Sequence, residues 1–523
     1  MKKFANRTLL ILILVLVVSS LAACSQGSKR VYPKSVDELN GLRAGSVVGT
    51  IIDSIEEENF PDSPISYVNT YSDMLEGIKA NKIDFFVIDK FKAVHMLGQT
   101  DDIKLLDDVL YEQPFGVIFR KNDDESAVLK AQWNEFIAAC KEDGRMQGLI
   151  DKWLDTTGES VENAQPLNYK LSGENGTLNM ACAPTSPPYC FMRGTEINGF
   201  DIEMAYMFCE EYGYGLEFCA SDFSAMIPGV ATGKCDFGAT SITITEERAE
   251  NVDFSEPYVF SKMVPVVPVE KKAGFSLAAI QKSFHNTFVR EDRWNMILNG
   301  LIETLEMFFG AAILGTILGM LIYMLCRKGN KILNKFFDLF ASVFHGLPMV
   351  VVLMIFYYVI LAESSLSGVV VAIIAFAISV MLSVYSQMKT AVKSIDNGQI
   401  EGAYSLGFND KQTFYNIIFP QAMEQFIPNY NSTLVNMLKG TAIVGYIAVQ
   451  DLTKVSDIIR ARTYEAFFPL IATAIIYLLL VLILIWALKM LQAKFEPKRR
   501  SDEKVLKQYN VKKVIEKSDK EGE

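Results

Sequence analysis

Histidine is scarce in this chain of 523 residues, which contains only His95, His285 and His345. They are far apart along the sequence, and the eight cysteines form no Cys-x-x-Cys pair. Protein metal sites are usually built from such ligands at short, regular spacing. The sequence therefore predicts no metal site. Cys209 and Cys235 are candidates for a disulfide in an exported domain, and buried free thiols are the alternative.

Positive charge is also in deficit, since 50 lysines and arginines face 61 aspartates and glutamates, a net charge of -11. A nucleic-acid-binding surface needs a basic face, so no nucleic-acid partner is expected. The sequence contains no Gly-x-x-x-x-Gly-Lys-Ser/Thr segment, the usual phosphate-binding loop. No nucleophile and base are paired in a recognisable pattern either. The chain is therefore not expected to be an enzyme or to hydrolyse ATP by itself.

The N-terminus has the pattern of an export signal. Lys2, Lys3 and Arg7 precede an apolar run over residues 9–18, and small residues then lead to Cys24. This order of charge, apolar core and small residues is typical of a signal peptide. Leu-Ala-Ala-Cys resembles the bacterial lipoprotein cleavage box, which would make residues 1–24 a signal and Cys24 a lipidated N-terminus. An uncleaved anchor helix is the alternative, and both place the following residues outside the cytoplasm.

Apolar residues are concentrated in the second half of the chain. Residues 30–290 have the pattern of a globular protein, and the segment from 296 to 495 is far more apolar. A membrane-spanning helix needs roughly 20 apolar residues. Five segments qualify: 298–326, 341–361, 368–385, 426–449 and 467–488. The fourth is the weakest, because Asn429, Asn431 and Asn436 interrupt it.

The distribution of basic residues predicts which loops lie inside. An outer N-terminal module makes the loop after the first span cytoplasmic, together with the tail over residues 496–523. Both are basic, with Arg327, Lys328, Lys331 and Lys335 in the loop and Lys494, Lys498, Arg499 and Arg500 near the tail. This agrees with the positive-inside rule. The long polar loop over residues 387–425 is expected on the same side.

That loop contains the most specific motif in the sequence. Glu401-Gly402-Ala403 is followed by Gly407, Ile417 and Phe419-Pro420. The spacing resembles the EAA motif of ABC-importer permeases, with Gly402 and Phe419 as departures. Residues 296–495 as a whole resemble the polar amino-acid permease family, for example in Gly346-Leu347-Pro348 and Leu438-Lys439-Gly440-Thr441.

The resemblance implies that Glu401 and Ala403 lie on a short cytoplasmic helix that docks on an ATPase subunit, and that Gly407 permits the turn after it. An ordinary amphipathic surface helix is the alternative. The implied partners are a dimer of ABC ATPase subunits, which would bind ATP and Mg, and a second permease subunit, which we expect to be the same chain. No cofactor is expected in this chain itself.

The soluble half resembles a type II periplasmic amino-acid-binding protein. Residues 175–270 contain Gly199-Phe200-Asp201, Lys234-Cys235-Asp236 and Thr245-Glu246-Glu247-Arg248, as in the first lobe of that family. Residues 33–115 resemble its second lobe, which therefore comes first in this chain. Two truncated binding proteins in tandem are one interpretation. We favour a single, circularly permuted domain, because each family segment occurs once and the termini of such domains often lie close together.

The predicted domain boundaries follow from this order. We expect lobe 2 at residues 33–115 and lobe 1 at 116–270, with a linker at 157–174 and a hinge at 259–270. A second linker is expected at 271–295, before the permease domain at 296–495. The predicted fold is thus an α/β two-lobed binding protein followed by an all-α five-span permease.

A cleft that binds an amino acid must grip opposite charges at two ends. Arg248 can bind a carboxylate with two bonds. Backbone N–H groups at Thr243 and Thr50 can contribute, since they lie at turns into helices, and Asp89 can accept the α-ammonium group. The resemblance places Ser241 in the same site, with Tyr189 and Phe223 as walls. Ser186 stands where many members of that family have an aromatic residue. The side-chain pocket is therefore unspecified, and the sequence does not predict which amino acid binds.

The expected function is therefore uptake of a polar amino acid by an ATP-binding-cassette importer in a bacterial plasma membrane. An amino-acid-gated channel or a sensor could use the same binding fold. Such channels insert their pore between the lobes, whereas here the spans follow both lobes. The tail after residue 495 is too short for a kinase domain.

Overall fold

A computed structural model describes residues 30–154, 161–163, 165–270, 277–327, 329–362, 364 and 366–495. The predicted signal peptide with Cys24 and the tail at 496–523 lie outside these residues. The described chain divides into two units. The first contains the residues up to Thr304 together with 350–371 and 442–473. The second contains 305–349, 372–441 and the residues from 474 onward.

This division differs from the predicted boundary at residue 296. Segments 350–371 and 442–473 were expected in the permease, and the structure places them with the binding domain. Ion pairs and apolar contacts between segments remote in sequence account for the difference, as described below.

The strands of the first unit, numbered along the chain, are β1 Ala44–Val47, β2 Ile65–Val68, β3 Phe85–Asp89, β4 Ile103–Leu105, β5 Tyr111–Phe115, β6 Ile118–Arg120, β7 Thr177–Cys182, β8 Thr185–Ser186, β9 Cys190–Arg193, β10 Glu196–Asn198, β11 Gly215–Ala220, β12 Phe237–Gly238, β13 Val252–Phe254 and β14 Val259–Pro268. Its helices up to residue 288 are α1 Ile52–Asn59, α2 Tyr71–Lys79, α3 Lys90–Gln99, α4 Asp124–Glu142, α5 Arg145–Trp153, α6 Phe200–Glu211, α7 Phe223–Ala231, α8 Glu246–Ala249 and α9 Leu277–Phe288.

Two large sheets form the two lobes. The sheet of lobe 2 has the order β2-β1-β3-β14-β4, with β5 also paired to β14. The sheet of lobe 1 has the order β11-β7-β12-β6-β13. All five residues of β3, Phe-Phe-Val-Ile-Asp, are buried. Such an apolar run is typical of a strand covered on both faces.

Each sheet takes one strand from the other half of the sequence. β14 follows the lobe 1 segments in the chain but pairs antiparallel with β3, placing Met263 opposite Asp89. Conversely, β6 follows the lobe 2 segments but pairs with β12 and β13. The chain therefore crosses between the lobes twice.

The segment predicted as a hinge, 259–270, is mostly a β-strand in the structure. Residues 259–268 form β14, and its last six residues are buried inside the lobe 2 sheet. The valine-rich sequence explains this, because β-branched side chains favour a packed, pleated surface.

An aromatic cluster fills the core of lobe 1. Trp133 stacks on Phe208 with ring centroids 4.1 Å apart, and Phe136 meets Phe208 edge-on at 5.6 Å. Cys209 belongs to this core, whereas Cys235 belongs to a separate cluster around Met226 and Ile242. The two are free thiols, as are the other cysteines that the structure describes. The disulfide that we considered for this pair is not formed.

Helices make up the rest of the described chain: α10 Arg293–Cys326, α11 Lys331–Gly346, α12 Met349–Ile355, α13 Gly368–Lys393, α14 Asn397–Ser405, α15 Asp410–Thr413, α16 Phe419–Gly440, α17 Leu452–Thr463 and α18 Phe467–Phe495. Single π-turns follow α12 and α15, at Phe356–Ile360 and Phe414–Ile418. Three segments are long and apolar enough to cross a membrane: Arg290–Cys326, Gly368–Lys393 and Phe467–Met490. Two bent helix pairs could raise the number to five.

The predicted second span at 341–361 is not one straight helix. α11 ends at Gly346, and the chain resumes as a helix at Met349 after a bend of 106°. Pro348 explains the break, because proline disfavours the α conformation of the residue before it and lacks an N–H donor.

Two glycines allow α10 and α13 to pack closely within the second unit. A Cβ atom on Gly315 would lie 2.6 Å from the carbonyl oxygen of Ala377, and one on Gly319 would lie 2.6 Å from that of Met381. Small residues four apart are a common way for membrane helices to approach each other.

The strand exchange predicts which fragments can fold. Residues 30–270 contain every strand of both sheets, so this fragment should unfold cooperatively in denaturant, followed by circular dichroism. Residues 30–154 lack β14 from the middle of their sheet, so that fragment should lack cooperative unfolding. Independent folding of 30–154 would instead favour two tandem binding proteins.

Candidate functional site

A cleft lies between the two lobes of the first unit, with a small cavity at its inner end. The outer cleft has a volume of about 650 Å³ and the inner cavity about 20 Å³. The inner cavity has room for about one water molecule. Both are lined by Thr50, Ile51, Phe223 and Arg248. The inner cavity is also lined by Ile52, Tyr71, Asp89, Lys92, Gln113, Ser241, Thr243 and Met263.

The structure thus brings most of the predicted ligand-binding residues together. Arg248, Thr243, Ser241, Asp89, Thr50 and Phe223 all line the inner cavity. Tyr189 reaches it through a hydrogen bond to Asp89. Ser186 is buried in β8 and lines neither the cleft nor the cavity.

Arg248 connects the two lobes. It lies in α8, whose N-cap Thr245 accepts a hydrogen bond from the Arg248 backbone N–H at 3.2 Å. Its guanidinium donates to the carbonyl of Thr243 at 3.0 Å and to that of Gly49 in lobe 2 at 2.8 Å. Only 9% of the residue is exposed, and this burial lowers the pKa of Arg248. No carboxylate pairs with Arg248 among the described residues.

Gly49 allows the lobes to approach at this point. Its φ is +81°, and an added Cβ would lie 3.1 Å from the Cβ of Ser224 in lobe 1. Next to it, the Thr50 backbone N–H already donates to the Val47 carbonyl at 3.2 Å. The predicted use of that N–H for a ligand carboxylate is therefore not available in this arrangement. The hydroxyl of Thr243 donates to Gln113 at 2.8 Å.

Asp89 is surrounded by donors from the protein itself. It is the N-cap of α3, accepts from the Lys92 backbone N–H at 3.0 Å, and is 2% exposed. Tyr189 donates to it at 3.2 Å, and Ser261 and Gln113 donate as well. A carboxylate has about four acceptor positions. The ammonium group of a ligand could bind here only by replacing one of these donors. The sequence analysis did not predict that the protein itself would occupy this carboxylate.

Lys92 is a functional candidate that the sequence analysis missed. It lies in the first turn of α3, three residues after Asp89. This closeness to a predicted site residue is the sequence feature that could have identified it. Its ammonium donates to the hydroxyl of Tyr71 at 3.1 Å. It also lies 4.5 Å from the ring centroid of Tyr71 and 5.4 Å from that of Tyr189.

Asp201 supports the cavity wall from behind. Its carboxylate accepts the Ser241 backbone N–H at 2.7 Å, and Ser241 has a φ of +46°. The Ser241 hydroxyl is buried without a hydrogen-bond partner in the described chain. Complete burial raises the pKa of Asp201 to about 7, against the opposing effects of Tyr258 and the Ser241 N–H.

A second site lies where α17 crosses the binding domain. Lys454 pairs with Asp222, the N-cap of α7 in lobe 1, and Arg460 pairs with Asp73 in lobe 2. Arg462 pairs with Glu162 at 2.6 Å. One helix therefore holds both lobes through ion pairs.

Apolar contacts reinforce this attachment. Val455, Ile458 and Ile459 of α17 form a buried cluster with Met192 and Met296. Tyr464, which follows the helix, is part of the lobe 2 core, and its carbonyl accepts from Lys79 at 3.1 Å. These charged and apolar contacts explain why residues 442–473 belong to the first unit.

In the second unit, the EAA-like segment forms a short helix. Glu401 is exposed on α14, whereas Ala403 is buried. Gly407 has a φ of +84°, and the N–H of Phe408 donates to the Ala403 carbonyl at 3.1 Å. Glycine at this position is a common helix terminator. Tyr404 and Leu406 are exposed beside Glu401, with 49% and 79% of their surfaces accessible.

These features define a solute-binding domain joined to a set of apolar helices. The model of the bacterial extracellular solute-binding proteins, family 3, matches residues 178–511, and the chain belongs to that family. Over 200 residues it is 30% identical to the "Putative glutamine transport system permease protein GlnP" of Rickettsia typhi, covering 38% of this chain and 92% of that protein.

Two further similarities are of the same kind. Over 202 residues the chain is 30% identical to the arginine transport system permease protein ArtQ of Bacillus subtilis, covering 38% of this chain and 92% of that one. A crystal structure of an amino acid ABC transporter with histidines matches 42% of this chain and 100% of its own, with 26% identity and a TM-score of 0.37. The chain therefore combines a family 3 binding domain with homology to amino-acid ABC permeases.

The buried Asp201 carboxyl predicts a pH effect on stability. Its pKa is near 7 in the folded protein against 3.8 ordinarily. The folded state thus retains a proton that the unfolded state loses, so this group's contribution to stability falls as the pH rises between about 4 and 7. Asp201→Asn removes that loss. Relative to wild type, the free energy of unfolding of the variant should gain roughly 1.4 kcal/mol for each pH unit across this window.

Denaturant unfolding of residues 30–270 at several pH values would measure this difference. Asp107→Asn, at an exposed position, is the matched control and should follow wild type. A constant difference between Asp201→Asn and wild type from pH 4 to 8 would contradict the raised pKa.

Proposed function

We propose that this chain is the substrate-binding and permease subunit of an ATP-binding-cassette importer for a polar amino acid. The observation that supports this best is the combination, on one chain, of a two-lobed cleft containing Arg248 and Asp89 with homology to amino-acid ABC permeases. A separate ATPase dimer, with bound ATP and Mg, drives transport. The relatives are named for glutamine and arginine transport, so their names do not agree on one cargo.

The binding domain is a single, circularly permuted one in this proposal. The support is the strand exchange, because β14 and β6 each complete a sheet formed mainly by the other half of the sequence. Five spans carry the chain from outside to inside in this proposal, and the fourth ends at residue 449, before α17. Residues 450–466 then lie outside, on the side of the binding domain, and Cys24 is a lipid attachment site.

The cargo binds between the lobes. Its carboxylate replaces the backbone carbonyls on Arg248, and its α-ammonium replaces the Tyr189 hydroxyl on Asp89. Tyr189 belongs to lobe 1 and Asp89 to lobe 2, so opening the lobes breaks their bond and exposes the carboxylate. Closure around the cargo then restores contacts from both lobes, so the cargo favours the closed form.

The cytoplasmic contact is made by α14. Glu401 and Tyr404 on this helix and Leu406, which follows it, are exposed, and the buried Ala403 allows close packing behind them. This surface docks on the ATPase subunit, and two copies of the chain form the complete pathway. ATP-driven closure of the ATPase dimer then moves both α14 helices together.

Reconstitution of the full chain with its ATPase in lipid nanodiscs tests this function. The amino acid that binds should stimulate ATP hydrolysis several-fold. Arg248→Ala should weaken cargo binding by at least about tenfold, since charged hydrogen bonds contribute roughly 1.5–3 kcal/mol, and Asp89→Ala should act in the same direction. Arg145→Ala, at a surface ion pair outside the cleft, is the control. Cargo binding without any effect on ATP hydrolysis would favour a channel or sensor.

The α17 contacts predict variants that bind normally but fail to couple. Arg460→Asp places like charges opposite Asp73 and should reduce cargo-stimulated ATP hydrolysis by roughly tenfold, while cargo affinity stays within about threefold of wild type, since neither residue lines the inner cavity. The double variant Arg460→Asp/Asp73→Arg restores opposite charges and should recover stimulation. Full stimulation in the single variant would show that this ion pair has no part in coupling.

A further inference from the structure

Lys92 is a buried cation without a carboxylate partner. It is 3% exposed, and no ion pair joins it to an acidic side chain in the part of the chain that the structure describes. An ammonium has three N–H donors, and the one hydrogen bond of this group within the described residues goes to the hydroxyl of Tyr71. Burying an unpaired charge is costly, and contacts with aromatic rings offset only part of that cost.

The other cation of the site has the same character. Arg248 donates to two backbone carbonyls and, where the structure describes the chain, to no carboxylate, although it too is buried. Asp89 cannot neutralise either one by direct contact, because its acceptor positions are filled by other donors. The inner cavity thus has two cations and one carboxylate on its wall, together with the unpartnered hydroxyl of Ser241.

Acidic residues of the outer cleft do not change this balance. Asp53, Glu58 and Glu247 line the outer cleft, and Glu58 and Glu247 are exposed to solvent there. Charges that are exposed to water interact weakly, typically by less than about 1 kcal/mol. The buried charges at the inner end, Arg248 and Lys92, are screened less than these exposed ones.

We infer that Lys92 binds the end of the cargo side chain, and that the cargo is an amino acid whose side chain ends in a carboxylate or, less tightly, an amide oxygen. This inference rests on the proposed function, since Arg248 must hold the α-carboxylate for the side chain to reach Lys92. A cationic side chain is excluded, because it would meet the buried ammonium. Lys92 thereby determines specificity.

Binding by the full chain in nanodiscs tests the inference, with calorimetric titration of L-glutamate, L-glutamine, L-leucine, L-lysine and L-arginine. Wild type should bind glutamate most tightly, then glutamine, then leucine, and the two basic amino acids least. Lys92→Met should weaken glutamate binding by about tenfold or more and change leucine binding by less than about threefold. Lys92→Arg, which keeps the charge, should retain the preference for glutamate.

The other outcomes distinguish failure of the inference about Lys92 from failure of the proposed function. A wild-type preference for arginine or lysine over glutamate overturns the inference. So does an equal loss for all ligands in Lys92→Met, which would assign Lys92 to the shared α-carboxylate. In both cases wild type still binds an amino acid, and the proposed function stands. Absence of binding to every amino acid in the panel, with Lys92→Arg equally inactive, would overturn the proposed function together with the inference.

Discussion

The binding domain depends on the two crossings of the chain between its sheets. β14 is the neighbour of β3, the strand that ends at Asp89, and it leads directly from lobe 1. β6 makes the opposite connection beside β12. Because each lobe needs a strand from the other half, neither lobe is complete by itself. The position of Asp89 opposite Arg248 follows from these crossings, and so does the cleft between them.

The first unit buries several charged side chains, and these differ in whether a carboxylate neutralises them. Among the described residues, Arg248 and Lys92 line the cavity without an ion pair to a carboxylate. Lys454, Arg460 and Arg462 on α17, in contrast, each pair with a carboxylate of the binding domain. Satisfied pairs fix one surface against another, while unsatisfied ones favour a ligand that completes them. The attachment surface on α17 and the candidate ligand site in the cleft therefore differ in how their charges are paired.

Much of this architecture could be predicted from local patterns. The motifs around Gly199, Arg248 and Glu401 are short, and their turns and helices form within a few residues. The break at Pro348 was not predicted, although proline acts on its immediate neighbour and gave a local signal for it. Other features depend on residues hundreds of positions apart, such as Arg460 and Asp73. No local pattern indicates those pairs, or that Tyr189 and Ser261 would occupy the carboxylate of Asp89.

The short connection between β14 and α10 has a kinetic consequence. β14 ends at Pro268 and α10 begins at Arg293, so the binding domain and the helices after it are tethered by a few tens of residues. A tether of this kind holds its two ends at an effective concentration in the millimolar range. Encounter between them does not depend on how much protein the cell makes. In the proposed importer, a larger amount of protein would raise the number of transporters without changing how often each binding domain meets its own helices.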